Sequence, residues 1–321
     1  MKGEHQIIVQ NRRMRYDFSV KRNITIICGN SATGKTTLVD MIREYFTNGE
    51  ESGVEVSCDK ECAVVEGRTW KSQLAEIRDA IVFIDEGNEF VFENEFSHVI
   101  QRTDNYYVLI TRESIPSLPY SVDEIYGIRN SGKYGTLRKT YNEFYPLYST
   151  ENNNINKKKR CLVVEDSNAG YEFFEGICEQ LGYRECISAK GKSNVFDMLI
   201  KHKDEEVVVI ADGAAFGSEM EKIGRLMKTT GSVSVYLPES FEWLVLQAGI
   251  FEGRELRDIL DEPEQYIDSA QYFSWERFFT AELVKRTVGT YLQYNKKKLN
   301  PVYLQDKLRG KIIHEMIKDG Y

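Results

Sequence analysis

The stretch ITIICGNSATGKTTLVDMI, residues Ile24 to Ile42, indicates the fold of the amino-terminal half of the chain. It begins with an apolar run that has the length and composition of a buried strand. A loop bracketed by glycines follows, and then Leu38, Met41 and Ile42 recur at the spacing of one helix face. Strand, loop and helix in this order predict an α/β fold with a largely parallel sheet covered on both faces.

The loop matches the pattern G-x-x-x-x-G-K-[ST] of a phosphate-binding loop, or P-loop, and its flanks are those that the motif requires. Glycine permits backbone angles that turn several N–H groups inward, and together with the helix N-terminus these groups form a nest for phosphate. Lys35 is expected to place an ammonium group on the outer phosphates and so to assist catalysis, and Thr36 to offer a hydroxyl to Mg²⁺. The predicted nucleotide-binding residues are Gly29, Asn30, Ser31, Ala32, Thr33, Gly34, Lys35, Thr36 and Thr37.

Two later strand ends supply further candidate groups. The stretch AIVFIDEGNEF places Asp85 and Glu86 at the end of an apolar run and resembles a Walker B element. Asp85 is expected to hold Mg²⁺ together with Thr36, and Glu86 to orient or deprotonate the attacking water. The strand YYVLITRE ends in Thr111 and Arg112 and resembles the equivalent strand of signalling ATPases. That resemblance implies that Arg112 senses the γ-phosphate, and the alternative is a surface salt bridge.

Together these motifs resemble those of P-loop ATPases, and the resemblance implies ATP and Mg²⁺ as ligands. The spacing between Thr36 and Asp85 leaves little room for the helical insertion of an ABC-type ATPase, and the sequence has no L-S-G-G signature. It has no N-K-x-D guanine-reading motif either, so ATP is favoured over GTP by elimination. A P-loop kinase acting on a small molecule remains an alternative, although the sequence has no arginine-rich lid.

Composition excludes several classes of protein. The chain of 321 residues carries a formal net charge of -8, which argues against a coat of nucleic acid or binding to an acidic membrane surface. No window approaches the roughly 18 apolar residues of a membrane-spanning helix, and the first residues do not resemble a signal peptide. The cytoplasm is therefore the expected location. The six cysteines suggest no disulfide framework, and Cys58 and Cys62 are expected to be free thiols, with a zinc site as the alternative.

The length of the chain predicts two domains. The stretch TENNNINKKKR is polar and then basic, and each segment beside it begins with strand-like apolar runs. We therefore expect a P-loop NTPase domain over residues 1–150, a linker over 151–160, a second α/β domain over 161–250 and a helical extension over 251–321.

In the second half, acidic residues follow the strand-like runs. Glu165 and Asp166 follow CLVV, Asp212 follows VVVIA, and Glu239 follows VSVYLP. The alternation with helical stretches predicts the order β-α-β-α-β-α-β. Ligand sites in such sheets lie beyond the carboxyl ends of the strands, so the acids are expected to meet there.

This arrangement resembles the Toprim-type nuclease domain of OLD-family proteins, in which such a domain follows an ATPase. The resemblance implies Glu165 as a catalytic residue and Asp212 as a Mg²⁺ ligand, although Gly213 and Ala214 stand where a D-x-D motif would continue. The run LVVEDSN also resembles the opening of response-regulator receivers, in which Asp212 would be the phosphoacceptor. A third interpretation is that these acids only cap the following helices.

Three hypotheses of function follow. In the first, ATP binding or hydrolysis gates a Toprim-like domain that acts on DNA or RNA, and the OLD-family resemblance suggests defence against foreign DNA. In the second, the protein is a nucleotide-controlled switch whose second domain is catalytically inactive and binds a partner. In the third, it is a small-molecule kinase. The basic stretches NKKKR and NKKKLN are candidate contacts for nucleic-acid phosphates, and a homo-oligomer or a partner protein remains open.

Overall fold

A computed structural model describes residues 1–29, 34–131, 139–148 and 161–321. The chain divides into two compact units, one formed by Met1–Tyr148 with Glu262–Phe273 and the other by Ser149–Asp261 with Ser274–Tyr321. The predicted linker, 151–160, lies outside the described residues. The predicted helical extension, 251–321, is shared between the units, because its segment Glu262–Phe273 belongs to the first.

The first unit is built on a sheet to which nine strands contribute within the described ranges. The strands are β1 (His5–Gln10), β2 (Met14–Val20), β3 (Ile24–Ile27), β4 (Glu55–Ser57), β5 (Glu61–Val64), β6 (Ala80–Ile84), β7 (Tyr106–Ile110), β8 (Ile125–Asn130) and β9 (Thr140–Pro146). The helices are α1 (Lys35–Asn48), α2 (Trp70–Glu76) and α3 (Asn94–Ile100).

This sheet is mixed, whereas the sequence predicted a largely parallel one. Its order is β4-β1-β2-β9-β8-β3-β7-β6-β5. The block from β8 to β5 is parallel, but β1 pairs antiparallel with β2 and β4, and β8 pairs antiparallel with β9. The short turn between β1 and β2 explains one antiparallel pair, because strands joined by so few residues can only run antiparallel. The pairs of β1 with β4 and of β8 with β9 join strands that lie farther apart in the chain.

The parallel block is buried on both faces. All residues of β3, β6 and β7 are buried, as expected for continuous apolar runs in a parallel sheet. On one face, Leu38 and Ile42 of α1 pack with Phe83 and Val108. On the other face, a separate cluster contains an aromatic group formed by Trp70, Phe90 and Phe96. The central strands are therefore held between two layers of side chains, which fixes the positions of their carboxyl ends.

Glu124 is a buried carboxyl group that lies close to the guanidinium group of Arg22. Its side chain is 1% exposed, accepts a hydrogen bond from the Thr25 hydroxyl at 3.2 Å and has Oε1 3.5 Å from Nε of Arg22. Burial raises the pKa of Glu124 from 4.5 to about 7, and the charge of Arg22 opposes this shift. Between these values the folded protein keeps a proton that the unfolded chain releases, so the free energy of unfolding falls as the pH rises through this window.

We expect this group to remove about 3 kcal/mol of stability between pH 4.5 and 7. Glu124→Gln, which cannot ionise, should lose that part of the pH dependence. Urea unfolding on both sides of the window measures it, with Asp123→Asn at the neighbouring exposed carboxyl as the control. An unchanged pH slope in Glu124→Gln would contradict the prediction.

The second unit contains a parallel sheet of four strands in the order β11-β10-β12-β13 within its described part. The strands are β10 (Cys161–Val164), β11 (Glu185–Ser188), β12 (Val207–Ile210) and β13 (Val233–Tyr236). The helices are α4 (Ala169–Ile177), α5 (Lys192–Lys201), α6 (Met220–Thr230), α7 (Phe241–Gln247), α8 (Arg254–Asp261), α9 (Trp275–Thr287) and α10 (Asp306–Lys318). Strands and helices alternate up to α7, so this part of the chain has the predicted α/β order.

The last helices complete the core of this unit. In α9, Trp275, Phe278, Phe279 and Leu283 are buried, whereas Val284 is exposed. The aromatic face therefore packs inside the protein. Among the described residues, no helix combines the length and the apolar character required to cross a bilayer.

Candidate functional site

The first candidate site lies at the carboxyl end of β3. The predicted loop residues Asn30, Ser31, Ala32 and Thr33 lie outside the described residues. Gly29 and Gly34 flank them with φ angles of 131° and 89°, in the region that favours glycine. Helix α1 begins at Lys35, directly after Gly34, so its N-terminal N–H groups face this loop.

The side chain of Lys35 is buried and folds back on the loop. Its ammonium group donates a hydrogen bond to the carbonyl oxygen of Gly29 at 2.7 Å. Burial lowers the pKa of Lys35, while the negative charge of Glu86 opposes that shift most strongly. The ammonium group of Lys35 is thus held against the residue that begins the predicted loop. Thr36, the next residue, is exposed at the same helix end, and Thr37 is partly buried.

Tyr16 supports the loop from β2, and sequence reasoning did not find it. Its ring is fully buried, and its hydroxyl donates a hydrogen bond to the carbonyl oxygen of Gly34 at 2.8 Å. Burial raises the pKa of Tyr16 to about 12, so the hydroxyl stays protonated and able to donate. A Cβ atom added at Gly34 would lie 2.8 Å from this hydroxyl oxygen. Close approach and a positive φ angle therefore both require glycine at position 34.

Gly34→Ala is expected to destabilise the protein by about 2 kcal/mol, from backbone strain and the contact with Tyr16. Gly53→Ala is a matched control, because Gly53 has the same left-handed backbone conformation, with φ 71° and ψ 11°, and has no atom within 4 Å of an added Cβ. Adding Tyr16→Phe to Gly34→Ala should recover part of the loss. Thermal unfolding of the three variants measures these differences, and equal losses in Gly34→Ala and Gly53→Ala would argue against the role of Tyr16.

The order of the strands brings the other predicted residues to the same edge of the sheet. Because β7 lies between β3 and β6, its end at Thr111 and Arg112 lies between the ends of β3 and β6. Nε of Arg112 is 2.6 Å from Oε1 of Glu86, so the sensor candidate and the candidate general base form an ion pair. Thr111 is buried and bonds to the backbone of Glu113, which secures the turn after β7.

Asp85 is the candidate Mg²⁺ ligand of this site. Its carboxylate accepts a hydrogen bond from the backbone N–H of Glu86 at 2.8 Å, and burial raises its pKa. Asp85 and Thr36 offer carboxylate and hydroxyl oxygens, which are ligand types that Mg²⁺ prefers. The donor types of these two residues are therefore compatible with a Mg²⁺ ligand set.

The second candidate site lies at the carboxyl ends of β10 and β12. These strands are neighbours, and the backbone N–H of Asp212 donates to Oε2 of Glu165 at 3.2 Å. Burial, followed by the charges of Glu276 and Glu165, raises the pKa of Asp212 well above its usual range. The two predicted acids do meet.

Asp166 has a different role from these two acids. Its carboxylate accepts hydrogen bonds from the backbone N–H groups of Ser167 at 2.7 Å and Gly170 at 3.1 Å. These groups lie at the start of α4, so Asp166 fulfils the helix-capping interpretation. A cap of this kind requires no ligand.

Three further charged residues at the second site were missed by sequence reasoning. Glu242 of α7 is 1% exposed and accepts a hydrogen bond from the Tyr294 hydroxyl at 2.8 Å. Nζ of Lys296 lies 3.6 Å from Oε1 of Glu242 and also contacts the carboxylate of Glu276. These residues are distant in sequence from Glu165, and no local motif marks them.

No protein-family model and no curated relative matches this sequence.

Proposed function

We propose that the first unit binds ATP with Mg²⁺ and hydrolyses it. The observation that carries this proposal is the convergence of Lys35 at the start of α1 with residues that follow two strands, namely Asp85 and Glu86 after β6 and Arg112 after β7. These are the phosphate-binding, metal-binding, general-base and sensor groups that phosphoryl transfer uses. Their arrangement is supported by the contact of Glu86 with Arg112 and by the electrostatic proximity of Glu86 to Lys35.

In this proposal, each side chain exchanges a protein partner for the nucleotide. Lys35 leaves the carbonyl oxygen of Gly29 for the outer phosphates, and Arg112 leaves Glu86 for the terminal phosphate. Glu86 then becomes available to orient the attacking water and to accept its proton. Mg²⁺ held by Thr36 and Asp85 would neutralise charge on the phosphate oxygens. The ion pair of Glu86 with Arg112 therefore keeps the general base occupied until ATP arrives.

We further propose that the nucleotide state of the first unit controls the second unit, which resembles a Toprim domain and contacts nucleic acid. The meeting of Glu165 and Asp212 supports this resemblance. A role in defence against foreign DNA follows from the OLD-family resemblance alone. The alternative, a switch whose second unit binds a partner without cleaving it, is favoured by the contacts of Lys296 within the acidic site.

Calorimetry with ATP and Mg²⁺, together with phosphate-release assays, tests the proposal for the first unit. We expect saturable heat with ATP, a weaker response to GTP, and turnover without any added metabolite. Turnover that requires a small-molecule acceptor would instead support the kinase hypothesis. No heat with any nucleoside triphosphate would refute the proposal. Plasmid cleavage measured in parallel separates the two roles of the second unit.

A further inference from the structure

We infer that Lys296 is a built-in counter-ion in the second unit and takes the place of a divalent cation among its acidic residues. The inference depends on the proposed Toprim-like role only for the expectation of a metal at this site. The contacts themselves are independent of that role. The second unit would then fold and bind its partners without a metal ion at Glu165 and Asp212.

Negative charge is concentrated at the second site. Glu165, Asp212, Glu242 and Glu276 come from four different elements and act on one another electrostatically. Mutual repulsion and loss of solvent make such a cluster unfavourable unless a cation or bound protons compensate it. Its formation in a folded protein therefore requires a cation among the carboxylates, carboxyl groups that keep their protons, or both.

Lys296 supplies such a cation from within the chain. Its ammonium group contacts the carboxylate of Glu276 and lies 3.6 Å from Oε1 of Glu242. The surrounding carboxylates raise the pKa of Lys296, so the group remains charged. The backbone is held in place as well, because the N–H of Ala169 donates to the carbonyl oxygen of Lys296 at 3.0 Å. The ammonium group is thus directed into the cluster by a fixed loop.

A second lysine, Lys192, comes from a different part of the chain, at the start of α5. The ammonium group of Lys192, at the start of α5, donates to the carbonyl oxygen of Ala215 at 3.2 Å. Its charge acts on Glu219, Glu165 and Glu276. Two lysines from separate segments therefore compensate the negative charge of the carboxylates. A site that binds a divalent cation would not require them.

The space at these strand ends is also too small for a hydrated metal ion. The cavity lined by Glu165, Asp212, Glu242 and Lys296 has a volume of about 20 Å³, close to that of a single water molecule. Mg²⁺ keeps several waters in protein sites and does not fit this cavity while the ammonium group of Lys296 lies among the carboxylates. These residues do not fit the metal that the Toprim resemblance implies.

The chain directly after Asp212 is packed closely against the loop after β13 and has no room for a side chain at Gly213. The N–H of Gly213 donates to the carbonyl oxygen of Pro238 at 2.7 Å. A Cβ atom at Gly213 would lie 2.6 Å from the carbonyl oxygen of Leu237. The backbone N–H of Ala214 donates to the carbonyl oxygen of Glu239 at 3.3 Å. The segment is bound along its length to the loop after β13, and its side chains provide no further oxygen ligand.

Binding of Mn²⁺ to the full-length protein without nucleotide tests the inference. Asp85→Asn is introduced into every sample, so that the first unit contributes no metal site. With Lys296 in place, we expect no saturable binding of Mn²⁺ and no change in Tm when Mn²⁺ or a chelator is added. Lys296→Met should gain one Mn²⁺ site and a rise in Tm of about 5 °C with the metal. Adding Asp212→Asn should abolish that gain.

Lys297→Met, at the exposed neighbouring lysine, and Lys296→Arg, which keeps the charge, should both behave like the parent protein. If Lys296→Met does not fold alone, refolding on addition of Mn²⁺ supports the inference, and failure to refold overturns it. Mn²⁺ binding by the protein that retains Lys296, lost on Asp212→Asn, also overturns it. Because ATP binding is measured separately in protein with Asp85 intact, failure here leaves the proposed ATPase function unaffected.

Discussion

Replacing Lys35 with alanine is expected to weaken ATP binding about 100-fold and to abolish hydrolysis. The buried ammonium group is held 2.7 Å from the carbonyl oxygen of Gly29, at the place where the outer phosphates are expected. A charge-assisted hydrogen bond to phosphate contributes about 3 kcal/mol, which corresponds to this loss of affinity. Calorimetry with ATP and Mg²⁺ measures it directly.

The matched control is Lys71→Ala. Lys71 lies in the same unit, but its side chain is exposed and forms an ion pair with Glu95. We expect this variant to bind ATP like the parent protein. Equal affinities for the parent and Lys35→Ala proteins would show that the loop does not hold phosphate, and the proposed function of the first unit would fail.

Glu86→Gln is expected to reduce the rate of hydrolysis about 1000-fold while ATP binding is retained. Glutamine preserves the shape of the side chain but cannot accept the proton of the attacking water. It also loses the charge that pairs with Arg112 at 2.6 Å, which leaves Arg112 available to the terminal phosphate. Single-turnover phosphate release and equilibrium binding, measured on the same samples, separate the two effects.

Glu89→Gln, at an exposed carboxyl a few residues further along, serves as its control and should hydrolyse ATP normally. Hydrolysis by Glu86→Gln at the parent rate would show that Glu86 only pairs with Arg112. The general base would then have to come from another residue.

The part of the fold that sequence predicted best is local. Strand β3, the glycine loop and α1 follow one another directly in the sequence. Their residue pattern alone therefore predicted the succession of strand and helix. The mixed character of the large sheet was missed because strand pairing depends on residues far apart in the chain. The insertion of β7 between β3 and β6 is such a pairing, and it decides that Arg112 meets Glu86.

In the candidate sites too, contacts signalled by a local sequence pattern were predicted, and contacts between distant residues were not. Glu165 and Asp212 were predicted to meet because each follows a strand, and adjacent parallel strands end at one edge. Tyr16 could not be found, since nothing in β2 marks a hydroxyl that bonds to Gly34. Glu242 and Lys296 come from a helix and a loop with no strand-end signature. Only the packing of these elements brings their charges together.

Because the segment Glu262–Phe273 belongs to the first unit, truncating the chain between the two units would remove part of the first unit. Phe273 belongs to an apolar cluster with Trp70, and the N–H of Gly3 donates to the carbonyl oxygen of Glu264 at 2.8 Å. A fragment that stops near residue 150 would lack Glu262–Phe273 and would expose the apolar residues of the first unit that this segment covers. A protease cut within 151–160 should instead yield two polypeptides that stay associated through size-exclusion chromatography, because each half keeps a piece of the same hydrophobic interior.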